Sequence, residues 1–310
     1  MIEIRPTGRS RTRRLSLAAV AVLIASALGS LGACGSTEPE PTTATTSGAR
    51  AAGDRFDEAR AFRLIERQVA YGQRPAGSPQ LRRLARTLRK KLPGGRFEPI
   101  PDEPGLRNIV GTVPGEQPAV VIGAHYDTLV EPRGFVGANN GAAGTAIVVQ
   151  LARELAREER PPGAPELDFV LFDGEEPAEG LPEENPDFYS VGLRGSRAYV
   201  EAHPGETGSM ILLDYVANKG LRLPREGSST PELWAEIRAA ARAAGFARNF
   251  PAGTEIVITD DHTPFLRAGV PAVDLIDWSY PGHSLEDGLD KLSQRSVDAV
   301  GETILEYLRR

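Results

Sequence analysis

Apolar positions recur along this chain at two spacings, and the switches between them mark its elements. From Asp54 to Leu92 they fall three or four apart, at Phe62, Ile65 and Val69 and again at Leu81, Leu84 and Leu88. That spacing predicts two helices, separated by a Gly/Pro loop over residues 71–79. Short continuous apolar runs follow. Asn108 to Val113 and Ala119 to Gly123 predict two strands around the turn Pro114-Gly115. Leu167 to Phe172, Met210 to Val216 and Val270 to Ile276 predict three more buried strands. Helical spacing returns in the Ala/Val/Leu stretch ending near Arg157, in Gly192 to Glu201, in Pro231 to Ala244 and in Ser293 to Arg309. Strands alternating with helices predict an α/β fold: a single three-layer domain with a mixed, mostly parallel central sheet and helices on both faces. Pro177 to Val191 is polar and interrupts the pattern as an insertion.

The N-terminus departs from this body. Arg9, Arg11, Arg13 and Arg14 precede an apolar run from Leu15 to Leu28, then Leu31-Gly32-Ala33-Cys34. Basic, apolar, then small is the order of an export signal, so residues 1–33 are expected to be a signal peptide. Leu-Gly-Ala-Cys resembles the bacterial lipobox, which implies lipidation of Cys34 and a protein held extracytoplasmically on the outer face of a bacterial cell membrane. Arg13-Arg14 leaves Sec and twin-arginine export both open. Residues 34–54 hold scarcely any large apolar side chain and are expected to be a tether; the folded body is expected over 55–310. Cys34 is the only cysteine, so an internal disulfide is excluded. The net charge of −6, about −10 without the leader's five arginines and Glu3, gives no reason to expect nucleic acid as a partner. A monomer is expected, touching membrane through its lipid anchor only.

The candidate chemistry lies where predicted strands end. The run Leu167 to Phe172 closes on Asp173-Gly174-Glu175-Glu176, and in open α/β sheets ligands gather beyond the carboxyl ends of strands. A bare Glu-Glu pair is common on protein surfaces. Here it is accompanied by His125-Tyr126-Asp127 after one strand, Asp214 near the end of another, Asp260-Asp261-His262 and a late His283. Histidines and carboxylates gathered from separate strand ends suit a zinc site. Neighbouring residues point opposite ways, so Glu175 and Glu176 are expected to divide the work between proton transfer and metal binding. His203 matches no motif and is expected to be solvated.

Five blocks in order carry a family resemblance: Gly-Gln-Arg-Pro-Ala-Gly-Ser-Pro at 72–79, His-Tyr-Asp at 125–127, Phe-Asp-Gly-Glu-Glu at 172–176, Asp-Asp-His-Thr-Pro-Phe-Leu at 260–266, and His283. Together they resemble the zinc aminopeptidases of peptidase clan MH, and more closely the glutaminyl cyclases of the same fold. The insertion after Glu176 and the Asp-Asp-His block favour the cyclases. The resemblance implies action on peptide or protein N-termini, turning an N-terminal Gln into pyroglutamate with release of ammonia. It implies one zinc in preference to two. Glu176 and His283 would be its ligands and Glu175 the proton shuttle, with Asp214 and Asp260 as carboxylates beside it. His125 would be a ligand only in a two-zinc aminopeptidase site, oriented by Asp127. Asn140 stands where the family places an Asp ligand and would be a weak one. Gly282 stands where cyclases tend to carry Trp, leaving Trp278, Tyr280 and His262 as candidates for the substrate pocket. Two alternatives stay open: an aminopeptidase, with Glu175 activating water, and a metal-poor relative that binds peptides without turnover.

Overall fold

The structure is a computed structural model describing residues 55–178 and 187–310. The leader, Cys34, the tether and residues 179–186 of the insertion lie outside the described residues. Six strands form one sheet: β1 (Arg96–Pro99), β2 (Arg107–Val113), β3 (Glu116–His125), β4 (Pro165–Phe172), β5 (Thr207–Leu213) and β6 (Ala272–Leu275). Their order is β1-β2-β4-β3-β5-β6. The β1–β2 and β2–β4 pairs are antiparallel, whereas β4–β3, β3–β5 and β5–β6 are parallel. The expected α/β class and mostly parallel sheet are therefore observed.

The three layers follow from alternation along the strands. Ile109, Ile122, Leu167, Phe169, Leu171, Ile211, Leu213, Val273 and Leu275 enter one core. Val110, Val121, Val170, Phe172, Met210, Leu212 and Ala272 enter the other. The first core is covered by α1 (Glu58–Val69), α2 (Pro79–Arg89), α3 (Ala142–Leu155), α6 (Pro231–Ala243) and α8 (Gln294–Leu308). The second is covered by α5 (Arg194–Ala202) and α7 (Thr263–Arg267), through Tyr199 and Phe265. A single helical turn, α4 (Phe188–Val191), closes the insertion. With both faces covered, the parallel strands are largely apolar, Asp168 in β4 and Asp274 in β6 being buried exceptions.

Three local features shape the site end of the sheet. Ser78 accepts the Leu81 N–H at 3.1 Å and Pro79 opens α2, which starts that helix directly after the Gly/Pro loop. At Gly144 a Cβ would lie 2.0 Å from the Leu213 carbonyl oxygen, so only glycine lets α3 pack so near the end of β5. Strand β5 stops at Leu213 and not at Val216 as the apolar run predicted, because Tyr215 adopts φ +47° and turns the chain.

Strand β1 was not legible beforehand. Arg-Phe-Glu-Pro is short and partly exposed, and it gains its conformation from β2 alone. His203 also differs from expectation. Its ring is held between Glu206 at 2.8 Å and Glu98 of β1 at 3.1 Å, and it packs on Tyr199 with ring centroids 4.4 Å apart. The bond to Glu98 outweighs burial and, with Glu206, raises its pKa from 6.5 to about 9. A raised folded-state pKa stabilises fully below the unfolded value and is lost as pH rises through the folded one. Replacing His203 by Gln should therefore lower the unfolding midpoint near pH 6, and the gap from wild type should close on approach to pH 9–10, as calorimetry across that range will show.

Candidate active site

Every chemistry-bearing block predicted after the Gly/Pro loop arrives at the carboxyl end of the parallel strands. His125 ends β3 and Asn140 lies just before α3. Glu175 and Glu176 follow β4, and Asp214 follows β5. Asp260 precedes α7, while Trp278 and His283 follow β6. Asn140, Glu175, Glu176, Phe188, Asp214, Tyr215, residues 256–260, Trp278 and His283 line one cavity of about 520 Å³.

The acidic turn after β4 is clamped from two sides. Asp127 accepts the N–H groups of Glu175 and Glu176, one on each carboxylate oxygen, both at 3.3 Å. From the other side Arg194 donates to the carbonyls of Gly174 at 3.1 Å and Glu176 at 2.8 Å. Charge-assisted bonds of this kind are among the stronger ones available. The backbone that carries the two buried glutamates is consequently fixed.

His125 sits at the centre of the carboxylates. Its Nδ1 lies 3.5 Å from Asp127 and 3.8 Å from Glu175, and its Nε2 lies 3.5 Å from Asp214. These are charge contacts, too long for good hydrogen bonds, and neither ring nitrogen has a hydrogen-bond partner among the described residues. Asn140 donates its amide N–H to Glu176 Oε1 at 2.7 Å. Its own backbone N–H, with that of Asn139, is held by Asp287, which also accepts the Tyr280 hydroxyl at 2.7 Å.

Crowding like charges in a dry site moves their titration. Burial, reinforced by the charge of Glu176, pushes Glu175 well above the usual carboxylate range. Burial also raises Glu176 to about 8, against the opposing charge of His125. Asp260 rises to about 6 through burial and the charge of Asp214. His125 is pulled down by burial but raised further by Asp127, Asp214 and Glu175, so that it stays protonated well above 6.5. His283, exposed at the rim but partly desolvated by the surrounding cavity wall and facing the charge of His125, falls to about 4 and is neutral at ordinary pH.

These residues fit a zinc ion. Ligand atoms of His125, Glu175 and Glu176 all lie within 4.8 Å of one another, both His125 nitrogens are buried and unbonded, and the donor set is nitrogen and carboxylate oxygen. His283 lines the same cavity in the neutral form a metal requires. His125, expected as a ligand only in a two-metal site, thus sits with the two glutamates.

Three pocket expectations sort differently. Trp278 lines the cavity and is 44% exposed. His262 does not reach it: the ring is fully buried, with Nε2 on the Ser228 hydroxyl at 2.8 Å and Glu226 at 3.3 Å. It fails as a pocket residue because it sits where α7 begins and is turned toward the loop carrying Glu226. Tyr280 lines a neighbouring recess, its hydroxyl committed to Asp287.

The residue missed beforehand is Tyr215. Its ring stacks on Trp278 at 6.1 Å and meets His283 edge-on at 5.7 Å. A Cβ at Gly282 would lie 2.3 Å from this ring, so Gly282 is small because Tyr215 fills the space beside it. Its signal in the sequence was its place directly after Asp214. Ile256 and Val257, 58% and 69% exposed, add an apolar rim that no periodicity marked.

A covered parallel sheet with a buried histidine and buried carboxylates at its carboxyl end defines the class as an α/β protein with a metal-fitting site. Within that class the chain belongs to peptidase family M28, whose model matches residues 108–308. It is 28% identical over 242 residues to a glutaminyl-peptide cyclotransferase of Bos taurus, covering 65% of this chain and 66% of that protein. The chain thus spans slightly under two thirds of the curated relatives it matches. A glutaminyl cyclase of Porphyromonas gingivalis superimposes with a TM-score of 0.71 at 26% identity, covering 82% of this chain and 98% of that one. A leucine aminopeptidase precursor of Bacteroides thetaiotaomicron shares the fold, with a TM-score of 0.72 at 24% identity.

Proposed function

We propose that this protein is a zinc-dependent glutaminyl-peptide cyclotransferase acting on peptide N-termini. The observation that carries this reading is the buried Glu175, its backbone N–H held by Asp127 in a turn that Arg194 clamps, beside Asp260 at the wall of the cavity. It is supported by the likeness to cyclases in sequence and fold. In the reaction the substrate α-amine attacks its own γ-carboxamide carbon; one C–N bond forms, the bond to the amide nitrogen breaks, and ammonia leaves. Glu175 takes the proton of the attacking amine and delivers it to the departing nitrogen. Burial and the like charges of Glu176, Asp260 and Asp261 hold the shuttle's affinity for that proton high, while Asp214 acts on Glu176. Trp278, Tyr215 and the 256–258 rim exclude water from the ring-closing side chain. Glu176 and His283 would hold the zinc, one ion in preference to two, with Asn140 a weak contributor and His125 a ligand only if a second ion binds. Zinc, when bound, would supply a Lewis-acid charge at the reacting carbonyl.

The aminopeptidase reading keeps one favouring observation, the grouping of His125 with both glutamates. Parallel assays of the purified, zinc-loaded protein separate the two. Ammonia release from Gln-peptides without hydrolysis of Leu-amide substrates is the expected result. Hydrolysis alone would move the protein to the aminopeptidases, and peptide binding without either activity would make it a binding protein.

For location we propose a lipid anchor at Cys34 on the outer face of a bacterial membrane, supported by the Leu-Gly-Ala-Cys block and the composition of 34–54. Among the described residues no helix is long and apolar enough to cross a membrane. Cys34→Ser should release the protein from membranes or block its processing; a processed mutant still sedimenting with lipid would place the anchor elsewhere.

A further inference from the structure

The charge of the folded body is unevenly spread. Between Arg82 and Arg96 the sequence holds seven Lys or Arg and no acid, in a chain whose net charge is −6. Helix α2 sorts them by spacing. Leu81, Leu84, Ala85 and Leu88 are buried, while Arg83, Arg86, Lys90 and Lys91 are exposed. None of these four cations has an ion-pair partner among the described residues, although other surface arginines of the chain pair readily, Arg60 with Asp57 and Arg309 with Glu158. The crowding is physical as well as sequential. Beyond the effect of its partial burial, Lys91 is disfavoured as a cation by Arg67, Arg153 and Arg60, drawn from α1 and α3. A surface that keeps several unpaired cations in mutual repulsion stores attraction for a dense anion.

We propose that the exposed cationic face of α2, continued by Lys91 and Arg67, docks the body onto an anionic phospholipid surface. Charge complementarity supports it: each Lys or Arg near such a surface contributes about 1 kcal/mol, or roughly fivefold in affinity. Reach supports it as well. Residues 35–54 span at most about 70 Å whatever their conformation. The chain enters the described body at Arg55, five residues before Arg60, one of the cations that crowd Lys91. A body tethered from Cys34 is thereby kept within reach of the headgroups, where a weak surface gains from high local concentration. For this proximity the inference rests on the proposed anchor. The docking surface itself does not, and it is tested without the lipid so that the two fail separately.

The test protein is residues 34–310 with Cys34→Ser. It is expected to fold alone, since both hydrophobic cores lie within 56–305 and a solved cyclase superimposes over 98% of its own chain. Sedimentation with phosphatidylcholine vesicles that include phosphatidylglycerol should capture it, and pure phosphatidylcholine should not. Capture should weaken as salt is raised. The triple variant Arg83→Glu, Arg86→Glu, Lys90→Glu should bind at least about a hundredfold more weakly, with an unchanged unfolding midpoint. If that variant fails to fold, the three glutamine substitutions replace it, with the same direction expected. Equal capture of wild type and variant, or capture indifferent to phosphatidylglycerol, overturns the proposal. So does retention on heparin without vesicle binding, which would assign the face to a soluble polyanion.

Discussion

Glu175→Gln is expected to lower turnover of Gln-peptides by roughly 100- to 10,000-fold, the range a positioned acid–base group contributes, while zinc per chain stays at the wild-type level. The two glutamates meet different surroundings. Beyond burial, Glu175 is raised by Glu176 and then by Asp260 and Asp261, so it faces the acidic side of the cavity. Glu176 accepts the Asn140 amide and feels Asp214, on the side where a cation would be held. An amide at 175 keeps the shape and the turn clamped by Asp127 but holds no transferable proton. Glu176→Gln should lower both zinc content and turnover. The decisive measurement pairs metal analysis with initial rates. Equal zinc loss in the two variants would show Glu175 to be a ligand, as its membership of the 4.8 Å group permits, and the division of labour would fall.

Asn140→Asp should have opposite effects on the free and metal-loaded protein. In the present structure the Asn140 amide donates to Glu176 at 2.7 Å, partly offsetting the charge of a carboxylate whose pKa has risen to about 8. An aspartate there would bring a second carboxylate into that contact. Without metal the pair must share a proton or repel, so the unfolding midpoint in chelator should drop. With zinc the added anionic oxygen should raise affinity by at least about tenfold, since even residues behind the ligands change it by 10- to 100-fold. Cyclisation at limiting zinc should rise accordingly, with little gain on Leu-amide substrates. A new Leu-amide hydrolase activity would instead indicate two ions bridged at residue 140. Because Asn140-Gly141 is a sequence prone to deamidation, peptide mass spectrometry should confirm which residue each sample carries. Unchanged chelator stability together with unchanged zinc affinity would remove Asn140 from the metal's surroundings.

Legibility in the sequence tracked how local each determinant was. The parallel strands were readable because a strand covered on both faces is mostly apolar, as Leu167 to Phe172 is apart from Asp168. Their carboxyl ends were readable for the converse reason: Asp, Glu and His directly after such runs have few structural uses. Strand β1 was hidden because Arg96–Pro99 owes its conformation to a neighbour distant in sequence. The pairing of His203 was hidden for the same cause, its partner Glu98 lying on that strand. His262 was assigned to the pocket through its block, yet the fold turns its ring toward Glu226, a residue no spacing connects to it. Tyr215 was invisible until its backbone was seen to leave the strand, since an apolar run ending in Leu-Asp-Tyr-Val does not announce a break.

The packing of Tyr215 against Gly282 has an evolutionary consequence. A ring that occupies the volume of its neighbour's Cβ makes the two positions one heritable unit: aromatic at 215 with glycine at 282, or the reverse, and never both large. A lineage moving between these states by single steps must cross an intermediate that is either overfilled or hollow. The effects of the two substitutions should therefore depart from additivity in a double-mutant cycle. Placing tryptophan at position 282 of this scaffold should succeed only if position 215 is emptied in the same step.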